Sequence, residues 1–189
     1  MALMKLRRYR EAVATAEKIL DGKPGLPDIR CFWDPWNWDE RVPREEMLRE
    51  LKALEKALGP KAGGPWLHYY RGSLKGPDGL PDFARLADFP ARRYGWMHFR
   101  AGSAALMASD FDRAASWFKR SLAGKPVDWR AHCFLADTYL CLQKPAAAFA
   151  EMDRARRAAP ESEAGQVLAW RGAFELWLGR YRRAIRLLD

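Results

Sequence analysis

The chain has 189 residues, 49% of them apolar and 30% charged, with a net charge of +9. That apolar fraction suffices for a core and excludes wholesale disorder, while no apolar run reaches the roughly eighteen residues that a membrane span needs. Three cysteines, Cys31, Cys133 and Cys141, are too few and too irregularly spaced for a disulfide framework or a zinc knuckle, and they read as reduced thiols.

The N-terminus, Met1 to Arg8, turns charged too soon for the apolar stretch of a signal peptide. A cytoplasmic protein without membrane association is expected. Leu6 to Leu20, closed by Pro24, reads as the end of one helix and a complete second one. Asp28 to Glu40 follows, an irregular stretch carrying Trp33, Trp36 and Trp38 among carboxylates. Val42 to Leu58 is an amphipathic helix, with Pro43 at its start, Glu45 and Glu46 in its first turn, and Met47, Leu51, Leu54 and Leu58 spaced like one helix face. Gly59-Pro60 is expected to stop it.

Pro65-Trp66-Leu67-His68-Tyr69-Tyr70-Arg71-Gly72-Ser73 aligns without gaps on Gly95-Trp96-Met97-His98-Phe99-Arg100-Ala101-Gly102-Ser103. The first of these is therefore another opening helix, followed by a glycine-proline turn and a short helix around Phe83–Phe89. The second turns at Ser109-Asp110 and continues from Phe111 to Leu122. The next unit runs from Trp129 through Ala136 and Tyr139, turns near Gln143-Lys144-Pro145, and passes Ala148 and Met152 to Pro160. A last one carries Gly172 and turns at Leu178 to Tyr181.

Prolines 24, 60, 90, 126 and 160 stand 36, 30, 36 and 34 residues apart, the period of a two-helix repeat. Gly102, Ala136 and Gly172 are small where paired helices cross, as are Ala114, Ala148 and Ala184 on the second helices. Phe111, Phe118, Tyr139 and Met152 fill the spaces between.

The pattern Ala101-Gly102…Phe111…Ala114…Phe118…Pro126, repeated as Leu135-Ala136…Tyr139…Ala148…Met152…Ala155…Pro160, resembles the tetratricopeptide repeat family, and about half the chain carries it. The resemblance implies an all-α superhelix of about five antiparallel helix pairs, two of them degenerate. The expected segments are 1–26, a partial first repeat; 27–62, a degenerate repeat with the tryptophan-rich loop; 63–94, a short repeat; 95–128 and 129–162, full repeats; and 163–189, a truncated last one. Neither end supplies a polar cap, so a piece of a longer protein is expected.

Function of such a scaffold lies in its surface. The resemblance implies a concave groove lined by stripes on the first helices, which here offer Trp96, Phe99, Arg100, Arg130, Phe134, Asp137 and Trp170. Aromatics and arginine are common interface anchors, and a protein or peptide partner is expected, with Arg100 and Arg130 orienting an acidic group. The lysine and asparagine clamp by which some members hold a C-terminal carboxylate is absent from these stripes. Trp33, Trp36 and Trp38 form a secondary candidate, either a stacking platform or cage for a sugar or cation, or a hydrophobic plug for the missing helix, which is preferred.

No glycine-rich phosphate loop, zinc-protease motif or serine elbow is present, so neither catalysis nor a cofactor is expected. His68, His98 and His132 recur with the repeat. Equivalent positions lie roughly 10 Å apart, too far to share one metal, and the three are read as packing residues. Two other functions stay open. One is an accessory module of a larger enzyme, such as a glycosyltransferase, with catalysis elsewhere. The other, ranked below it because the basic residues are dispersed, is a nucleic-acid surface.

Overall fold

The computed structural model describes residues 9–22, 44–62, 64–124 and 128–188. The tryptophan-rich loop with Trp33, Trp36 and Trp38 lies outside the described residues, as do Cys31, Pro24 and Pro126. The helices are α1 (Tyr9–Gly22), α2 (Arg44–Ala62), α3 (Gly64–Lys75), α4 (Leu80–Ala84), α5 (Ala91–Met107), α6 (Phe111–Leu122), α7 (Trp129–Cys141), α8 (Pro145–Ala158), α9 (Ala164–Trp177) and α10 (Tyr181–Leu188). Short 3₁₀ turns cover Gly76–Gly79, Arg85–Asp88 and Glu161–Glu163, and no strand occurs among the described residues. Each helix packs chiefly on its neighbours in sequence, α5 on α6, α7 on α8 and α9 on α10, with α6 on α7 joining one pair to the next.

The turn inside each of these three pairs is the same device. Ser109, Gln143 and Gly179, 34 and 36 residues apart, all take positive φ (59°, 56° and 72°). The residue after each sends its N–H five residues back, Asp110 to Ala105, Lys144 to Tyr139 and Arg180 to Glu175, at 2.8–2.9 Å. This Schellman geometry satisfies carbonyls that the helix end would leave unpaired.

Close helix crossings account for the small residues. A Cβ on Gly102 would lie 2.7 Å from the Phe118 ring, and one on Gly72 would lie 2.8 Å from the Phe83 ring. Gly72 and Gly102 are aligned positions, so the short unit repeats the crossing of the full one. It does so with less chain: Phe83 follows its glycine by 11 residues, where Phe118 follows by 16.

The expected helix around Phe83–Phe89 is instead α4 and a 3₁₀ turn that buries Leu86. Phe89, with φ −107° and ψ 144°, is extended, the conformation imposed on a residue before proline, here Pro90. In α2 the backbone breaks at Gly59 (φ 72°, ψ 169°) as expected, but helix resumes through Ala62.

One core cluster is built around Trp66, Tyr69, Phe83, Met97, Phe118 and Leu135, and a second around Trp129, Met152, Val167 and Phe174. The periodic histidines serve these packings separately. His98 is wholly buried, with Nε2 3.0 Å from the Leu86 carbonyl. Burial pushes its pKa down to about 4, so the neutral ring donates from Nε2. His68 is half-buried beside Phe89, its pKa lowered chiefly by desolvation. His132 Nδ1 sits 2.7 Å from the buried Glu151, which also meets Arg154. Burial alone would raise the Glu151 pKa; His132 and Arg154 outweigh it and hold the carboxyl low. No group of three metal-ligating side chains is found among the described residues.

Helix α1 is held by Arg10, whose Nε donates to the Ala57 carbonyl at 2.7 Å, and by a carboxylate. Glu17 accepts from Trp66 Nε1 at 2.5 Å, from Arg93 Nη2 at 2.6 Å and from the Tyr94 hydroxyl at 3.0 Å. Nothing in the sequence spacing marks this network, because its members stand 49 to 77 residues apart.

Candidate protein-binding groove

The groove candidates come from the opening helices α5, α7 and α9. The period places Arg100, Phe134 and Trp170 at equivalent positions on successive helices, and the candidates whose side chains meet are Phe99, Phe134, Trp170 and Asp137. Phe134 stands at the centre. Its ring lies 5.1 Å from Phe99, 5.7 Å from Phe118 and 5.2 Å from Trp170. The Phe99 and Trp170 contacts are edge-on, the arrangement that aromatic quadrupoles favour. Phe118, on α6, was read from the sequence as a spacer; it forms the floor of this row.

Phe99 is buried, whereas Phe134 and Trp170 are half-buried and keep part of their rings at the surface. At the end of the row, Trp170 Nε1 donates to both carboxylate oxygens of Asp137, at 3.2 and 3.1 Å. Desolvation raises the Asp137 pKa to about 6, against the lowering effect of that hydrogen bond. Asp137 also raises the pKa of Cys133 one turn away, where burial acts first and the two together bring the thiol to about 12.

Trp96 joins a different cluster, 4.9 Å from Tyr69 and 5.7 Å from Trp66. Arg130 is engaged too. Its guanidinium stacks 4.7 Å from the Trp129 ring and pairs with Asp128 at 3.6 Å and Glu163 at 3.4 Å. The positive charge expected to face an acidic partner is matched there by two carboxylates of the chain itself. Arg100 is half-buried on α5.

In the last pair, Arg171 and Glu175, four residues apart, do not bond each other. Arg171 meets Asp153 at 2.6 Å, and the buried Glu175 meets Arg180 at 3.4 Å. A separate open cleft between α6 and the α7–α8 turn is lined by Asp112, Lys119, Arg120, Tyr139 and Lys144. It contains none of the groove candidates.

No family model matches the sequence, and no curated protein matches it. Among solved structures the chain is similar to MamA. One MamA crystal structure aligns with a TM-score of 0.63 at 13% identity, covering 77% of this chain and 86% of the other. A second gives 0.61 at 14% identity, covering 76% and 78%. A MamA RS-1 ArsTM double mutant gives 0.62 at 19% identity, covering 78% and 82%. At such identities the likeness carries the fold alone. The all-α, tetratricopeptide-like solenoid read from the sequence is the fold found. No helix among the described residues is long and apolar enough to cross a membrane.

Proposed function

We propose that this chain is a non-catalytic interaction scaffold that holds a partner peptide or helix along Phe99, Phe134, Trp170 and Asp137. The observation that carries the reading is the unbroken ring-to-ring contact from Phe99 to Trp170, ending on a half-buried carboxylate. Aromatic surface held rigid by its neighbours loses little entropy when it binds. Asp137 keeps acceptor capacity beyond the single N–H that Trp170 supplies, which suits a backbone amide or a basic side chain. With Arg130 already paired, the groove favours a partner that is apolar with a donor over one that is acidic.

Selection of a random peptide library on the full chain tests the reading. Enriched peptides are expected to combine apolar residues with lysine or arginine. They should lose affinity roughly tenfold or more for Trp170→Ala or Phe134→Ala variants, as hot-spot truncation does, once circular dichroism shows those variants helical. Equal binding to parent and variants would place recognition elsewhere on the chain.

A further inference from the structure

Several arginines of this chain share one arrangement, a guanidinium that meets both an aromatic ring and a carboxylate. Arg93 lies 5.7 Å from the Tyr94 ring and 2.6 Å from Glu17. Arg130 lies 4.7 Å from the Trp129 ring and 3.4 Å from Glu163. Arg171 and Arg180 both approach the Phe149 ring, at 5.7 and 5.6 Å, and pair with Asp153 and Glu175 at 2.6 and 3.4 Å. A guanidinium is planar and weakly hydrated, so its face suits a ring while its edge donates to a carboxylate.

Asp137 and Trp170 offer the same two partners without the cation. The half-buried Asp137 accepts the Trp170 Nε1–H on both oxygens. Phe134, one turn before it on α7, adds a second ring, 5.2 Å from that of Trp170 and inclined to it by 67°. Desolvation and the Trp170 hydrogen bond act on this carboxyl, and no charged side chain of α5, α6, α8 or α9 does. On α7 the flanking titratable groups are Cys133 and Cys141, whose thiols burial pushes up and so keeps uncharged. Sheltered carboxylates are ordinarily paired, as Glu17, Glu151 and Glu175 are here. With 33 basic residues against 24 acidic ones, the chain is not short of cations to do it.

We propose that the partner supplies the missing guanidinium: the groove recognises an arginine side chain, which pairs with Asp137 and lies against Trp170 and Phe134. The inference rests on the groove reading above and narrows it from any donor to a cation. Lysine, a compact and strongly hydrated charge, suits the carboxylate but not the rings. Recognition then depends on pH. The carboxyl titrates at about 6 in the free chain. An arriving cation drives its proton to solvent and leaves carboxylate and guanidinium paired. Only the ionised fraction is competent, so affinity should fall roughly tenfold from pH 7 to pH 5.

N-acetyl-arginine amide and N-acetyl-citrulline amide are close in shape but differ in charge, and they serve as probes. Each is titrated into the full chain while the indole N–H signals are followed by NMR, that of Trp170 being assigned from Trp170→Phe. The arginine compound should move the Trp170 signal to saturation, about tenfold less tightly at pH 5 than at pH 7. The citrulline compound should leave it in place, and N-acetyl-lysine amide should bind more weakly than arginine at pH 7. Asp137→Asn, which keeps an acceptor for Trp170, should abolish the response. Equal responses to arginine and citrulline, a response that survives Asp137→Asn, an affinity indifferent to pH, or no response to arginine overturns the proposal. Lysine binding as tightly as arginine overturns the guanidinium assignment. The two readings fail separately. Selected peptides that need Phe134 and Trp170 but no arginine would keep the groove and sink the cation. An arginine response at Asp137 with no groove-dependent peptide would do the reverse.

Discussion

Trp170 Nε1 on α9 donates to both oxygens of Asp137 on α7, bonding two successive pairs of the solenoid across the candidate groove. Each residue therefore has a structural role besides any role in binding, and their substitution must be read through stability as well as affinity. The carboxyl titrates near 6 when folded, against an ordinary 3.8. A raised carboxylate pKa means that the folded state holds the proton longer, so stability falls as pH rises from about 4 to 6.

Asp137→Asn keeps an oxygen for Trp170 and removes this titration. The variant should gain stability over the parent as pH rises through that window, reaching ~2 kcal/mol above pH 6 after allowance for partial solvent screening. Urea denaturation at a series of pH values measures it. A constant offset between the two proteins across the window would show that Asp137 does not titrate there.

His98 acts in the opposite direction over nearly the same range. Its folded pKa of about 4, against an ordinary 6.5, lets the unfolded chain take up a proton that the folded chain refuses. Stability is lost as pH falls from 6.5 to 4, by ~3 kcal/mol for a group this deeply buried. His98→Gln should flatten that loss, whatever its effect at pH 8. In the Asp137→Asn background the acid sensitivity of His98 should stand out, since the opposing slope is gone.

Ser109 and Gln143 hold the left-handed turn conformation without being glycine, whereas Gly179 occupies the third equivalent position. An L-residue there costs about 1–2 kcal/mol, part of which glycine returns to unfolded-chain entropy. Gln143→Gly should therefore stabilise by ~0.5–1 kcal/mol, and Gly179→Ala should destabilise by ~1 kcal/mol. Thermal melts of the two variants give opposite signs if the repeated turn is as described.

A Cβ on Gly79 would sit 2.1 Å from the Gly72 carbonyl oxygen and 2.6 Å from its Cα. Backbone cannot step aside as a side chain can, so Gly79→Ala should cost ~3 kcal/mol, at the upper end for overpacking. Gly102→Ala meets the Phe118 ring instead. A second change, Phe118→Leu, should recover part of that loss, and a double-mutant cycle would show the coupling.

Glu17→Ala strips the acceptors from Trp66, Arg93 and Tyr94 at once. The expected loss is ~2–3 kcal/mol, for charge-assisted hydrogen bonds on one shared, half-buried carboxylate. The amides of Tyr9–Gly22 should lose protection before those of α5. Tyr94, whose hydroxyl is pushed up to about 12 by burial first and Glu17 second, should titrate lower in the variant.

The repeat was legible because packing acts through period. Small residues recur at Gly102, Ala136 and Gly172 since two backbones must approach there, and that demand is written into each unit separately. The alignment of 65–73 on 95–103 located α3 and the Gly72 crossing for the same reason. The candidate groove was legible only as a set of positions. Spacing brought Phe99, Phe134, Asp137 and Trp170 to one face, but it gave no sign that Phe118 would underlie Phe134 or that Trp170 would bond Asp137. The partners of Arg130, one of them 33 residues away, were equally hidden.

The sequence by itself determined the all-α class, the helix pairs and their turns, because these follow from local periodicity and from proline and glycine chemistry acting within a few residues. Only the tertiary structure decided which aromatics join and which charges are already paired. Those outcomes depend on contacts between units, where side-chain direction and burial, not spacing along the chain, choose the partner.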